Sequence, residues 1–158
     1  MRISVFAYGS LLNPKSLKKT LSGNRVTEQA SLLGFQRKIN APVSGYLYLN
    51  IVPRSGKKVQ GMLISVNAQE LEVLKLREPG YGCVDVTKKI EIQGKGVVYT
   101  FIAPDKAYPD LKIPRSYLTT CLDGKSASEK KLWLEETLFE NEIEEDLTNP
   151  VYINAVTG

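Results

Sequence analysis

Glu78 stands in the run Leu76–Arg77–Glu78–Pro79–Gly80–Tyr81, between a helical pattern and a strand pattern. A lone glutamate is ordinarily a solvated surface charge, and Arg77 beside it is then an exposed partner worth almost nothing. Its setting among Pro79, Gly80 and Tyr81, in a loop beside the sheet, gives the carboxylate a second use. Held beside a sheet and partly stripped of water, its pKa rises toward the range in which it can take up and return a proton. A second candidate is Tyr8–Gly9–Ser10–Leu11. Ser10 follows a strand and a glycine, but the surrounding residues are not G-x-S-x-G and the serine has no histidine to serve as its base. A Ser–Lys pair is the formal alternative. The segment works better as a backbone device: Gly9 permits an unusual turn, and successive N–H groups at the strand's end then face one concavity that suits a carboxylate or an oxyanion. Standing alone, the same residues would make a plain β-turn.

Other candidates reduce to simpler roles. Tyr8, Tyr81 and Tyr117 are three of eight tyrosines, a residue type more often half-buried in packing than placed in a site. Cys83 and Cys121 read as small core hydrophobes and reduced thiols. Gly124–Lys125–Ser126 resembles the end of a phosphate loop, but Thr119 stands where that pattern needs glycine and a helix precedes it. The chain has no histidine. That excludes a histidine-based triad, a histidine shuttle and a mixed Cys/His zinc site. Acid–base chemistry must come from Glu, Asp, Lys, Tyr or Cys.

These candidates need elements to position them. The 158 residues, 42% apolar and 24% charged, suit one domain with a sizeable core. Residues 2–8 alternate, with Ile3, Val5 and Ala7 on one face, and predict a first strand. Asn13–Pro14 starts a helix running to about Leu21. Strands follow at Ser31–Ile39, Tyr46–Val52 and Val59–Val66, and then a short helix, Ala68–Leu76, capped by Asn67 with Glu70 three residues on. A hairpin spans Cys83–Ile92 and Val97–Ala103, and a helix begins at Pro114 and ends at Leu122. Ser126 and Glu129 make a capping box for an acidic, amphipathic final helix to about Leu147, showing Leu132, Leu134, Leu138 and Ile143. Strands in meander order with inserted helices predict an α+β fold: a small mixed, mostly antiparallel β-barrel or curled sheet with flanking helices.

Charge is uneven. Residues 126–158 hold 8 acids and 2 bases, whereas residues 1–125 hold 19 bases and 9 acids. The lysines are scattered pairs without interleaved aromatics, so a solvated surface is the better reading than a nucleic-acid footprint. No run approaches the roughly 20 apolar residues of a membrane span, and Ile3–Tyr8 is too short for a signal peptide. The expectation is a soluble cytoplasmic protein that engages neither nucleic acid nor membrane.

Five segments, in order over about residues 3–118, resemble the γ-glutamylcyclotransferase superfamily, including its avirulence-induced-gene-type and ChaC-type branches. Phe6–Ala7–Tyr8–Gly9–Ser10–Leu11 resembles its Y-G-S-[LN] strand end, and Leu33–Gly34–Phe35–Gln36–Arg37 its L-x-G-[YF]-x-R strand. Val59–Gln60–Gly61–Met62–Leu63 is similar to V-x-G-x-[LIV]. Leu74–Tyr81 is similar to the helix end with the catalytic glutamate and a nearby tyrosine, and Pro114–Arg115–Ser116–Tyr117–Leu118 to P-x-x-Y. Gly82–Cys83 stand where family members often place an arginine, and Leu11 replaces the asparagine of the classical branch. The resemblance implies an enzyme of the lyase or acyltransferase class, acting without metal or cofactor on a small anionic γ-glutamyl substrate. The substrate's own α-amine attacks its γ-carbonyl, giving 5-oxoproline and a free amine. Glu78 is then the proton shuttle, and Tyr8, Gly9, Ser10, Leu11 and Tyr117 hold the substrate. The alternative is an inactive member that senses a small ligand or binds another protein, with the acidic final helix as its surface.

Overall fold

From Ser4 to Ala7 every residue of the first strand is buried, on both faces of a sheet. In the computed structural model, which describes residues 2–9, 21, 23, 25–91 and 96–145, this strand β1 (Ile3–Ala7) lies between β3 (Tyr46–Val66) and β5 (Val97–Ile102). It runs antiparallel to the first and parallel to the second. Its alternating residues feed two cores. Phe6 packs with Leu32, Ile39, Ile51 and Trp133 on one side, while Val5 and Ala7 meet Ile64, Leu71, Leu74 and Phe101 on the other. Burial on both faces is what a central strand requires, and it fixes where the chain emerges at Tyr8.

The sheet is completed by β2 (Thr27–Val43), antiparallel to β3, by β4 (Gly82–Asp85), antiparallel to β5, and by β7 (Thr137–Leu138), parallel to β2. Where three strands are expected between residues 31 and 66, two long ones form. β2 and β3 stay paired on both sides of a break at which Leu33 faces Lys58 and Phe35 faces Pro53. Gly34 (φ +81°) and Gly56 (φ +78°) supply the left-handed backbone at that break, which bends both strands together. At the other end Ser44 and Gly45, both with positive φ, close the hairpin in the manner of a type I′ turn. The bent sheet curls until Ile90, beyond β4, bridges Leu32 of β2, while Glu91 N–H reaches Ser31 O at 3.0 Å. The result is a mixed, curled but unclosed sheet, as expected.

Helix α1 (Ala68–Arg77) starts with the expected capping box: Glu70 N–H donates to Asn67 Oδ1 at 2.8 Å and Asn67 N–H to Glu70 Oε1 at 2.9 Å. Leu71 and Leu74 face the core. Helix α2 (Arg115–Leu122) follows a two-residue strand, β6 (Ile113–Pro114), and buries Tyr117 and Leu118. The expected hairpin is present, but its first strand stops at Asp85, whose carboxylate caps a 3-10 turn at Thr87–Lys89. Asn50 and Asn40, both buried, hydrogen-bond to each other at 2.9 Å, and Asn50 clamps Ala103 by N–H and carbonyl contacts at 2.9 and 3.0 Å.

The last helix differs from the expectation of residues 126–147. α3 (Ala127–Glu135) has its capping box at Ser126 and Glu129 but ends at Glu135. Thr137 turns its hydroxyl back onto Trp133 O at 2.6 Å, and Thr137 and Leu138 join the sheet beside Arg37 and Lys38. Trp133 is 7% exposed, whereas Leu132 and Leu134 are 56% and 41% exposed, so the apolar stripe is not the inner face. Ile143 lies instead in β8 (Ile143–Glu144), paired with β6. The expected helix at residues 13–21 lies outside the described residues except for Leu21, which is buried.

Candidate active site

Tyr8 and Gly9 leave the end of β1 at a cleft enclosing about 390 Å³, its open mouth included, lined by Phe6, Ala7, Tyr8, Gly9, Leu49, Glu78, Tyr81, Phe101 and Tyr117. The position of Ala7, and so of Tyr8, depends on Gly61 of β3. A Cβ there would lie 2.5 Å from Ala7 O and 2.6 Å from the Phe6 ring. Gly9 is similarly confined: its Cβ would meet Leu49 Cδ2 at 3.3 Å and Tyr117 Oη at 3.7 Å. The glycine keeps the cleft wall open.

Glu78 is the C-cap of α1, its N–H bonded to Leu74 O at 3.1 Å. Pro79 prevents continuation of the helix, and Gly80 (φ +87°) turns the chain back so that Tyr81 N–H reaches Glu78 O at 3.2 Å. This short turn puts both the carboxyl and the phenol into the cleft. Burial raises the Glu78 carboxyl above the ordinary carboxylate value, and Arg77 draws it partly back.

Three tyrosines complete the polar lining. The Tyr8 hydroxyl donates to Phe101 O, and the Tyr81 hydroxyl donates to Leu49 O at 2.6 Å. The Tyr117 hydroxyl accepts from Leu49 N–H at 3.3 Å and is hydrogen-bonded with Cys121 one helical turn on. Burial pushes all three phenols well above their usual range, and at Tyr8 and Tyr81 the Glu78 charge adds to the rise. Cys121 is pushed up to about 12 by burial, so it is an unreactive thiol.

The structure thus brings Tyr8, Gly9, Glu78 and Tyr117 to one cleft, while Ser10 and Leu11 lie outside the described residues. Tyr81 was not among the expected substrate-holding residues. The signal for it was present in Pro79–Gly80, a turn that returns the chain two residues after Glu78. Leu49, Phe6 and Phe101 line the cleft through strand pairing that no local pattern specifies. Cys83, at the position where arginine is common in the resembled family, packs with the cluster of Val5, Leu71 and Phe101. Among the described residues no group of three His, Cys, Asp or Glu side chains is placed to hold a metal ion, and no helix is long and apolar enough to cross a membrane.

The fold is that of γ-glutamyl cyclotransferase structures. A protein described as a γ-glutamyl cyclotransferase superposes with a TM-score of 0.71 at 14% identity, over 100% of both chains. An uncharacterized human protein gives 0.68 at 15% identity, over 98% of both. An Arabidopsis thaliana protein solved in solution gives 0.56 at 29% identity, covering 85% of this chain and 83% of that one. The family model for γ-glutamyl cyclotransferase, AIG2-like, matches residues 5–118. The chain belongs to that family. No curated protein sequence matches it.

Proposed function

We propose that this protein cleaves a γ-glutamyl amide by intramolecular attack of the α-amine on the γ-carbonyl, releasing 5-oxoproline and a free amine. The observation that carries this reading is Glu78: a carboxyl with a burial-raised pKa, aimed into a small cleft beside Gly9 and three tyrosines. Family membership supports the same reaction class.

The chemistry asks little of a protein. Closing a five-membered ring is intramolecular, and oriented reactions of this kind reach effective molarities of about 10⁵–10⁸ M. Glu78, ionised, takes one proton from the α-ammonium. The neutral nitrogen forms a bond to the γ-carbon, and negative charge develops on the γ-oxygen, which the backbone N–H of Gly9, on the cleft wall at the end of β1, would steady. Collapse breaks the γ-carbon–nitrogen bond; Glu78 returns the first proton to the departing nitrogen, then takes the second proton from the ring nitrogen and passes it on, so the ring keeps one N–H and the amine leaves as its ammonium. No water is consumed and Glu78 ends as it began.

The test is product analysis in ¹⁸O-labelled water with glutathione, γ-glutamyl-alanine and γ-glutamyl-lysine as substrates. The expected product is 5-oxoproline carrying no label, and the best substrate defines the leaving amine. Labelled glutamate would show hydrolysis and contradict the proposal. Absence of any product from the panel would favour a ligand-binding role for the same cleft.

A further inference from the structure

A strand edge that borders a cleft must find other partners for its peptide groups. Along one edge of β3, Leu47 to Val52 pair with β2, but β1 reaches β3 only at Met62 to Val66. At Leu49 the opposite edge therefore has no strand beside it among the described residues. Two phenols take that place. Leu49 N–H donates to Tyr117 Oη at 3.3 Å, and Leu49 O accepts from Tyr81 Oη at 2.6 Å. One phenol comes from α2 and the other from the turn that carries Glu78, so the main chain of Leu49 ties both elements to the sheet. The side chain of Leu49, 2% exposed, reaches the end of β1. A Cβ placed on Gly9 would meet Leu49 Cδ2 at 3.3 Å, Tyr117 Oη at 3.7 Å and Leu49 Cβ at 3.9 Å. Apart from its chain neighbours, the bare Cα of Gly9 thus rests on Leu49, with the Tyr117 hydroxyl beside it.

We infer that Leu49 is a positioning residue: its backbone holds the turn of Glu78, its side chain props Gly9, and together they set the spacing between the carboxylate and the Gly9 N–H. This rests on the γ-glutamyl reading above, in which one reacting molecule must meet both groups at once, its amine at Glu78 and its γ-oxygen at Gly9. Leu49 is apolar and exchanges no proton. Its effect is geometric, and a misplacement of about 1 Å at such a site costs about 10²-fold in rate. Gly9 has no side chain with which to anchor itself, and glycine has the most backbone freedom to lose on folding. The prop must therefore come from a neighbour. Volume decides at this position, because methionine fills the same space and alanine leaves a gap.

The test compares Leu49→Ala with Leu32→Ala. Both remove the same atoms from the same apolar cluster, but Leu32, 0% exposed, lies across the break at Gly34 and outside the cleft lining. Both variants are expected to lower the urea midpoint. Only Leu49→Ala should lower kcat for 5-oxoproline release, by about 10²-fold with KM nearly unchanged, and Leu49→Met should recover most of the loss. The ¹⁵N order parameter of the Gly9 amide is a readout that needs no turnover. It should fall from about 0.85 toward 0.6 in Leu49→Ala and hold in Leu32→Ala. If Leu49→Ala does not fold, Leu49→Val, a smaller truncation, carries both measurements. Equal loss of kcat in the two alanine variants overturns the inference, because Leu49 is then an ordinary core residue. A rise in KM at unchanged kcat overturns it too, since Leu49 would then be a binding contact. So does a Gly9 amide whose order parameter Leu49→Ala leaves unmoved. A fall confined to Leu49→Ala, in a protein that releases no 5-oxoproline, would keep Leu49 as the prop of Gly9 and remove the γ-glutamyl reading.

Discussion

At the scale of single residues, Glu78 makes a prediction about pH in two separate measurements. Burial raises its carboxyl above the ordinary 4.5. As a base it must be ionised, so kcat/KM should fall on the acid side with a midpoint above that value. Stability responds in the opposite sense. Between the ordinary value and the raised one, the folded chain binds more protons at this site than the unfolded chain, so its contribution to stability falls as pH rises through that window. Glu78→Gln should remove this slope, and urea midpoints measured across the acid range will show whether it does. A slope unchanged by the substitution would mean that the carboxyl is not desolvated. Arg37 is the contrasting case. It is 4% exposed, donates to Thr137 Oγ1 at 3.0 Å and lies over the Trp133 ring at 5.0 Å. Its contacts are those of a strut between β2 and the C-terminal elements, and burial lowers its pKa.

Elements carry these residues, and two substitutions test how. Arg37→Ala should destabilise by on the order of 2–3 kcal/mol, because it empties packed volume and strips hydrogen bonds from the junction of α3 and β7. Arg37→Lys should restore only part, since an ammonium cannot stack over Trp133 as a guanidinium does. Urea unfolding measures both, and a fully stable alanine variant would contradict the strut. Gly61→Ala should cost about 1–3 kcal/mol by overpacking against Phe6 and Ala7, and should lower activity further because the end of β1 must shift. The sequence made local features of this scale readable. Asn67 with Glu70 and Ser126 with Glu129 are complete capping signals, and both helix starts lie where they point. Signals for helix ends were weaker. α3 stops at Glu135 because Arg37, about a hundred residues earlier, holds Thr137 in the sheet, and no window around Leu138 contains that information. The continuous bend of β2 and β3 likewise depends on pairing across the break at Gly34. Glu78, Tyr8, Gly9 and Tyr117 were legible from motif order, whereas Tyr81 needed the turn geometry and Leu49 needed the register.

At the scale of the molecule, the uneven charge of the sequence is partly settled within the fold. The acidic stretch after α3 lies back on the basic body through Glu140 with Lys38 at 3.1 Å and Glu145 with Arg115 at 3.0 Å. Exposed pairs of this kind contribute little to stability individually. They do favour a solvated, self-complementary surface over a dedicated acidic docking helix. The two cores share β1, so the thiols report on the whole structure. Both cysteines are partly buried, and Cys121, with its thiol pushed up to about 12, should alkylate more slowly at neutral pH than Cys83, whose thiol burial raises less. Mass spectrometry of the native protein resolves the two, and labelling of Cys121 faster than Cys83 would contradict the packing of its thiol against Tyr117. The most direct measurement of the central claim is the rate of 5-oxoproline release by Glu78→Gln against the unsubstituted protein. A folded variant should lose about 10²–10⁴-fold in turnover; near-full activity would show that Glu78 is not the proton shuttle.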